Sequence, residues 1–510
     1  MPESVVTTFD SRCGRLARGA GMKHKGYSRR ALAGACGALT WMLLSACGPA
    51  AIPEEPLEQT ASSLEASLEQ SSVAGVDDAE LMTTGRSWFV SMRGDDEAAG
   101  TINAPLRTIG RAVTLARPGD IVRVHTGVYA EQLVLESQGE GAAPITLQGE
   151  GPVRPTLMPG NRAPGAVIWV RGRWNLKNLH VDVDKAPMAA VVFSEGADHS
   201  RLSGSELRDG RAGAGVIVQG ARHVQIHDNV IHHFIKPGDD SHGVVVVGPS
   251  QDTVIRRNNI HHNSGDSVQC QAGDAPAQQL LVEHNALHDN GENGVDIKQC
   301  YDVIIRHNAL SDFPNPAIRP LGSSAGEAVL ISRGARDVVV LGNTISRAGR
   351  GVSVLAQIAA PHNILIDGNT IEHIRNFPNH NGQGIRIAGG NNVQVINNTV
   401  SRTDSWGLML AADGISVPGL TVRNNRVRGG PRQLLVRLGS GTFRPGFSMR
   451  GNHYAHGGTL SMDGVQEQLQ GPFEELRRMF DGENLRLSNR ERLVLWQLLL
   501  GVDEGAVLEE

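Results

Sequence analysis

Nine short segments set the terms on which this chain can fold. VQIHDN (224–229), TVIRRN, LLVEHN, VIIRHN, VVVLGN, ILIDGN, VQVINN, LTVRNN and FSMRGN alternate apolar residues and end in asparagine. The terminal residues are Asn229, Asn258, Asn285, Asn308, Asn343, Asn369, Asn398, Asn425 and Asn452, at steps of 29, 27, 23, 35, 26, 29, 27 and 27. Self-similarity at such a period marks a solenoid, in which each repeat buries its apolar face only against its neighbours. The steps are too long for leucine-rich repeats and lack their signature, and no helix-length amphipathic segment lies between them.

A second strand follows in each coil: GVIVQG (215–220), GVVVVG, SVQCQ, GVDIKQ, AVLISR, GVSVLA, GIRIAG and GLMLAA. Period-2 alternation sends one residue inward and the next outward. Stacked coils pair like strands in parallel, which removes sheet edges except at the two ends. The asparagines are then expected to form a ladder at one turn, where Asn tolerates left-handed backbone and its amide can bond the coils above and below. Sixty-one glycines against 4% aromatic residues suit such a chain of turns and narrow strands. A net charge of −5 leaves no basic field to draw it onto nucleic acid.

Residues 88–135 give a strand, a Gly/Asp loop, an amphipathic helix near Leu106 to Ala116 and another strand. With its APLRTIGRAV helix, PGD turn and V-x-x-G-V-Y segment, this stretch closely resembles the opening of secreted right-handed parallel β-helix proteins. The resemblance continues through ITLQGEGPVRPTL and the repeats and covers about residues 86 to 456. It implies an all-β fold, a right-handed parallel β-helix with an N-terminal helical cap, of the pectate-lyase-like kind. After Gly471 the pattern turns helical in FEELRRMF and NRERLVLWQLLLGV, expected to be a C-terminal helical cap, with a protein-binding tail as the rival reading. The body is accordingly placed at 86–460 and the C-terminal segment at 461–510.

Ahead of the body, Met22 opens a second, better start, with Lys23, Lys25, Arg29 and Arg30, an apolar run from Ala31 to Leu44, and then Leu44-Ser45-Ala46-Cys47. A charged region, a run of signal-peptide length and a small-residue cleavage site describe an export leader, 1–47, too short to span a membrane as a helix. The tetrapeptide resembles the lipobox of bacterial lipoproteins, which implies lipidation at Cys47 and attachment to the bacterial cell envelope, at the outer membrane or cell surface. Residues 48–85, rich in Glu, Ser, Ala and Gln, read as a disordered tether. Of five cysteines only Cys270 and Cys300 lie in the body. They fall on neighbouring repeats and could pair in an oxidising compartment, although the alignment offsets them by about three residues.

Aligned by their inward residues, the second strands place Ile217, Val245, Gln269, Asp296, Leu330, Ser353, Arg386 and Met409 in one outward column. Gln219, Val247, Gln271, Lys298, Ser332, Leu355, Ala388 and Ala411 form the next. Charge concentrates at Asp296 and Lys298, and acids recur just before these strands at Asp239, Asp240, Asp266, Glu292 and Glu327. Converging oxygens suit Ca²⁺, which takes six to eight of them. Here the chain resembles family 9 polysaccharide lyases, parallel β-helix pectate lyases in which an Asp on one coil and Asp-Asp-x-x-Asp on the next hold Ca²⁺. The matching positions are Asp266 and then Glu292-Asn293-Gly294-Val295-Asp296, with Glu and Asn replacing two aspartates.

The resemblance implies Ca²⁺ at Asp266, Glu292, Asn293 and Asp296, and a base on a later coil, where Arg333 stands in place of the family's lysine. Lys298, already beside the acids, is the other base. The expected chemistry is β-elimination from a uronic acid, in which a cation beside the carboxylate acidifies the C5 proton and a neutral base removes it. The expected partner is an acidic polysaccharide, bound by a monomer. Three other readings stand beside this one: a solvated Asp296–Lys298 pair on a surface that binds glycan or scaffolds the envelope, a uronan hydrolase using two of Asp240, Asp266 and Asp296, and a C5-epimerase. His232, His261 and His288 each follow a ladder asparagine by three residues and should stack, a packing repeat or a metal site.

Overall fold

The computed structural model describes residues 85–136, 143–160, 164–455 apart from a few single positions, 458–461 and parts of 488–509. Cys47, the leader and the tether lie outside the described residues. Among the described residues the body is a parallel β-solenoid of three sheets with 14, 13 and 14 strands. Each coil contributes one strand to each sheet, as in Ala214–Gln219 (sheet 2), Gln225–His227 (sheet 1) and Val230–His232 (sheet 3). Like strands pair in parallel, for example Val216, Ile217 and Val218 with Val244, Val245 and Val246. The inward residues of all three sheets form one continuous apolar core, from Trp88 and Val90 to Tyr454 and Leu460.

The asparagine ladder is present and fully bonded. The Asn285 side-chain nitrogen donates to Ile255 O at 2.9 Å and to Asn308 Oδ1 at 3.0 Å, while its Oδ1 accepts from the backbone and side-chain nitrogens of Asn258 at 2.9 and 3.1 Å. The same pattern runs from Asn229 to Asn452, whose side chain donates to Asp503 Oδ1 at 2.9 Å. One expectation is corrected. The left-handed residue at this turn is not the ladder asparagine but the residue before it: Asp228, Arg257, His284, His307, Gly342, Gly368, Asn397, Asn424 and Gly451, with φ between 52° and 64°. The preceding residue turns the chain, which leaves each asparagine buried with its amide aimed into the stack.

The ends differ from expectation too. The N-terminal helix is Ile109–Leu115, seven residues capped by Thr108, whose hydroxyl accepts from Arg111 N. It buries Ile109 and Ala112 and packs Val113 and Leu115 against the core, a single short helix rather than the longer one expected over Leu106 to Ala116, and no helical cap is shown among the described residues. In the C-terminal segment helical backbone is described at a few positions between 490 and 497, and the rest of that expectation lies outside the described residues. At this end a strand, Val507–Glu509, pairs with His453–Ala455 in sheet 3, and Leu493, at one of the helical positions, is buried in the core. A strand answers the free backbone groups of a sheet edge directly, which a docked helix does not.

Cys270 and Cys300 form a disulfide with Cα atoms 6.3 Å apart. The three-residue offset is real, since Cys270 pairs in register with Ile297. After Lys298 the chain turns through left-handed Gln299, which carries Cys300 back inside to meet Cys270.

Candidate functional site

Sheet 2 presents its outer face as a wall. One column on it runs without a break through Trp169, Val192, Ile217, Val245, Gln269, Asp296, Leu330, Ser353, Arg386, Met409 and Arg437. The neighbouring column follows Gln219, Val247, Gln271, Lys298, Ser332, Leu355 and Ala388. It stops there, because Ala411 leaves the strand in left-handed backbone. The strand alternation that buries Val295 and Ile297 in the core is what sends Asp296 and Lys298 to the wall.

This part of the wall is not open. Asp296 is 2% exposed and the Lys298 side chain 21%, which excludes a freely solvated pair. Lys298 Nζ lies 2.8 Å from Asp296 Oδ2, and Asp296 Oδ1 has no hydrogen-bond partner among the described residues. Asp266, fully buried on the preceding coil, accepts from Gln269 Nε2 at 2.9 Å and, through Oδ1, from Asn293 N at 3.1 Å and Asn293 Nδ2 at 2.9 Å. The Nδ1 atom of His242 is 3.2 Å from Asp266 Oδ2. Glu292 meets Arg319 at 3.3 Å, and Arg319 also bonds Asp240. Glu327 pairs with Arg350 at 2.6 Å.

Electrostatics divide these acids. Burial, then the negative charge of Asp266, pushes Asp296 up to about 7. Burial, with Asp266 and Asp296, also holds Glu292 above the usual carboxylate range, against the opposing pull of Lys298. Burial alone would raise Asp266, but His242, Lys298 and the Gln269 hydrogen bond outweigh it and keep this carboxylate ionised. Burial disfavours the Lys298 ammonium, yet Asp296 and Asp266 prevail and hold it protonated above the ordinary lysine value.

The four positions matched to a calcium site do not fit one as arranged. Asn293 turns its nitrogen, not its oxygen, toward Asp266, and that orientation is fixed because Asn293 Oδ1 accepts from Glu327 N at 2.9 Å. A divalent cation needs oxygens from both. Lys298 occupies the other place a cation would take, on Asp296. Among the described residues no group of three or more His, Cys, Asp or Glu is placed to hold a metal.

Of the two expected bases, only Lys298 is brought to the acids. Arg333 stands one residue past Ser332, the register partner of Lys298, exposed at a left-handed corner that stacks over Gln299. The histidines do stack, His232 on His261 on His288 at 5.0 Å, with His233 on His262 beside them at 5.3 Å. They lie on and just after sheet 3, away from the wall. Of the acids weighed as a hydrolytic pair, Asp266 and Asp296 join the cluster directly and Asp240 through Arg319.

Two cations were missed by sequence reasoning. Arg350 stands in register with Glu327, so extending the strand alignment one residue would have found it. Arg319 sits in the coil with the longest step, 35 residues between Asn308 and Asn343, where an insertion interrupts the pattern. The step length was the available signal, since long loops on a rigid scaffold tend to carry function.

Among curated proteins the chain is similar to pectate lyase PEL9 of Emericella nidulans, 25% identical over 215 residues. These are 41% of this chain and 48% of that protein, so the chain spans about half the length of the curated relative it matches. Among solved structures it is similar to the catalytic unit of a GH87 α-1,3-glucanase from Streptomyces thermodiastaticus strain HF3-3, at 17% identity and TM-score 0.49, covering 64% of this chain and 61% of that one. It is also similar to pectate lyase Pel9A (14%, TM-score 0.37, covering 71% and 80%) and to PfbA, a surface adhesin of Streptococcus pneumoniae (11%, TM-score 0.47, covering 62% and 82%). Scores at this level carry no argument about activity. Residues 92–148 match the model of a protein of unknown function, DUF1565. Three overlapping stretches, 165–354, 243–427 and 322–454, match the model of the right-handed β-helix region and together span more than half of the sequence; the chain belongs to that family.

Proposed function

We propose that the wall around Asp296 and Lys298 acts on an acidic polysaccharide by β-elimination without calcium. The observation that carries this reading is the buried Lys298–Asp296 pair whose second carboxylate oxygen accepts no hydrogen bond. The distant similarity to a pectate lyase supports the substrate class. Lys298, held protonated, faces the uronate carboxylate and acidifies the C5 proton, the task first assigned to a metal. Asp296 Oδ1 takes that proton, the C4–O4 bond breaks as the C4–C5 double bond forms, and Glu292, held neutral, protonates the departing O4. The Lys298 ammonium, 2.8 Å from Asp296 and bonded to it alone of the two, suits the two carboxyls to opposite roles.

The near-complete burial of Asp296 favours a second reading, a wall that holds glycan without cleaving it. One assay separates the two: the protein from Ser87 onward is mixed with pectate, alginate and related uronans, and the ultraviolet absorbance of unsaturated ends is followed. Expected is product that chelator leaves unchanged, with a loss of roughly 100-fold or more in Asp296→Asn and Lys298→Ala. Binding without product selects the glycan-holding reading, and new reducing ends without absorbance select hydrolysis. We also propose export and a lipid anchor at Cys47 in the bacterial envelope; the Cys270–Cys300 disulfide supports an oxidising compartment. Palmitate labelling lost in Cys47→Ala tests it.

A further inference from the structure

On sheet 3, three consecutive strands, Val230–His232, Asn259–His261 and Ala286–His288, each end on an outward histidine, and these histidines pair in register. Continued alternation would send the next residue into the core. Instead His233, His262 and Asp289 take left-handed backbone, at φ 58°, 57° and 54°, and the inward position falls to the residue after, Phe234, Asn263 and Asn290, all buried. The corner therefore sets two outward side chains side by side on each rung. His232 Nδ1 lies 2.6 Å from His233 Nδ1, His261 Nδ1 2.9 Å from His262 Nδ1, and His288 Nδ1 2.8 Å from Asp289 Oδ2. The rungs on either side carry Arg208 with Asp209 and Ser311 with Asp312, so the paired nitrogens end there.

Ring stacking does not require these pairs. Rings stack face to face between rungs, at 5.0 and 5.3 Å, whereas the two rings of one rung meet nearly perpendicular, at 82° and 88°. One proton shared between the two nitrogens accounts for each spacing. Two N–H groups facing one another could not approach so closely, so each pair holds at least one nitrogen lone pair. His261 and His262 are half-buried and His233 exposed, within reach of an ion from solvent.

We propose that the Nδ1 atoms of His261 and His262 form a bidentate site for a Cu²⁺ ion, with water completing its coordination, and that His232 and His233 form a second, weaker one. Both lie away from the wall on sheet 2 and do not depend on the reading given to it. A metal about 2.0 Å from each nitrogen sees pairs 2.6 and 2.9 Å apart at roughly 80–95°, the angle between neighbouring ligands of a square-planar or tetragonal ion, whereas tetrahedral zinc needs its nitrogens about 3.3 Å apart. Copper stands at the top of the affinity order for imidazole donors, and calcium prefers oxygen. Successive rungs stand about 4.8 Å apart, too far for one ion to draw on both, which agrees with the absence among the described residues of any group of three or more ligand side chains. Two dications at that spacing repel, so one binds first. The central pair takes it: the next rung beside His262 carries the Asp289 carboxylate, while the rung beside His232 and His233 carries Arg208 and Asp209, whose charges offset one another.

The test is electron paramagnetic resonance of the full chain, its thiols alkylated and any metal stripped with chelator, during titration with Cu²⁺. Expected is an axial spectrum split by nitrogen ligands that saturates at one ion per chain, with a second, weaker ion at higher concentration. His262→Asn keeps a residue that tolerates the left-handed corner and removes the donor, so with an unchanged melting curve it should weaken the first ion roughly 100-fold. His261→Gln should do the same. His233→Asn should spare the first ion and remove the second, and His288→Gln should spare both. Zn²⁺ should displace copper only in large excess, and Ca²⁺ not at all. A spectrum without nitrogen splitting, first-ion binding that survives both His262→Asn and His261→Gln, or Zn²⁺ that competes at equal concentration would overturn the site. None of these outcomes bears on the uronate assay, which contains no copper.

Discussion

The asparagine ladder and the cluster around Asp296 are both stacks of buried polar side chains on one solenoid, yet only one can rest. In the ladder, an amide donates upward and accepts downward, so each asparagine satisfies the next and the stack is neutral throughout. Carboxylates only accept. Four acids on consecutive coils, Asp266, Glu292, Asp296 and Glu327, therefore recruit whatever cations and protons are at hand: Lys298, Arg319, Arg350 and the amide of Asn293. Even then one oxygen of Asp296 is left over. The repeat that closes on itself makes structure, and the repeat that cannot close leaves a group able to react.

The largest expected effect comes from breaking the closed stack. Asn285→Ala strands the Ile255 carbonyl and the Asn258 donors that its side chain now serves, and should lower unfolding free energy by about 3–5 kcal/mol in a urea titration. A loss below about 1 kcal/mol would mean that the ladder adds little beyond the core.

The open stack should respond to pH instead. Asp296 titrates near 7 when folded and at 3.8 in a model peptide, so between these values the folded state binds the extra proton. That contribution is fully present below about pH 4 and is lost as pH rises through 7. Asp296→Asn removes the dependence and should exceed wild type at alkaline pH by about 1–3 kcal/mol, while losing activity. A variant less stable than wild type at every pH would contradict the stated charge balance.

A smaller effect of opposite sign belongs to the histidine stack. Burial, then the neighbouring histidines, lowers His261 to about 4 from 6.5. Its contribution is present above pH 6.5 and lost as pH falls toward 4. Between these values the urea midpoint of wild type should fall more steeply than that of His261→Gln, and parallel slopes would exclude the stack as the cause. The smallest expected effect is that of calcium: neither Ca²⁺ nor chelator should move the melting temperature. A rise of several degrees with Ca²⁺ would restore Asp266, Glu292, Asn293 and Asp296 as a ligand set.

Much of the wall was legible before any coordinates. The two outward columns hold from Ile217 to Met409 and from Gln219 to Ala388, because strand alternation is a local property and parallel stacking keeps it in register. The cations were less legible. Arg319 reaches Asp240 across 79 residues, out of an insertion that follows no repeat. Cys300 returns inside only because Gln299 turns left-handed after the strand, a backbone choice that periodicity does not encode.

By itself the sequence determined the rungs: which residues face the core, which face out, and which asparagines stack, since each follows from a two-residue period and a repeat of nearly constant length. Tertiary structure alone decided the charges. Whether Asn293 shows oxygen or nitrogen to Asp266 is settled by the Glu327 amide on the next coil, and whether Asp296 holds a metal or an ammonium is settled by the reach of Lys298. Burial and the placement of neighbouring charges govern both, and these exist only after the coils have stacked.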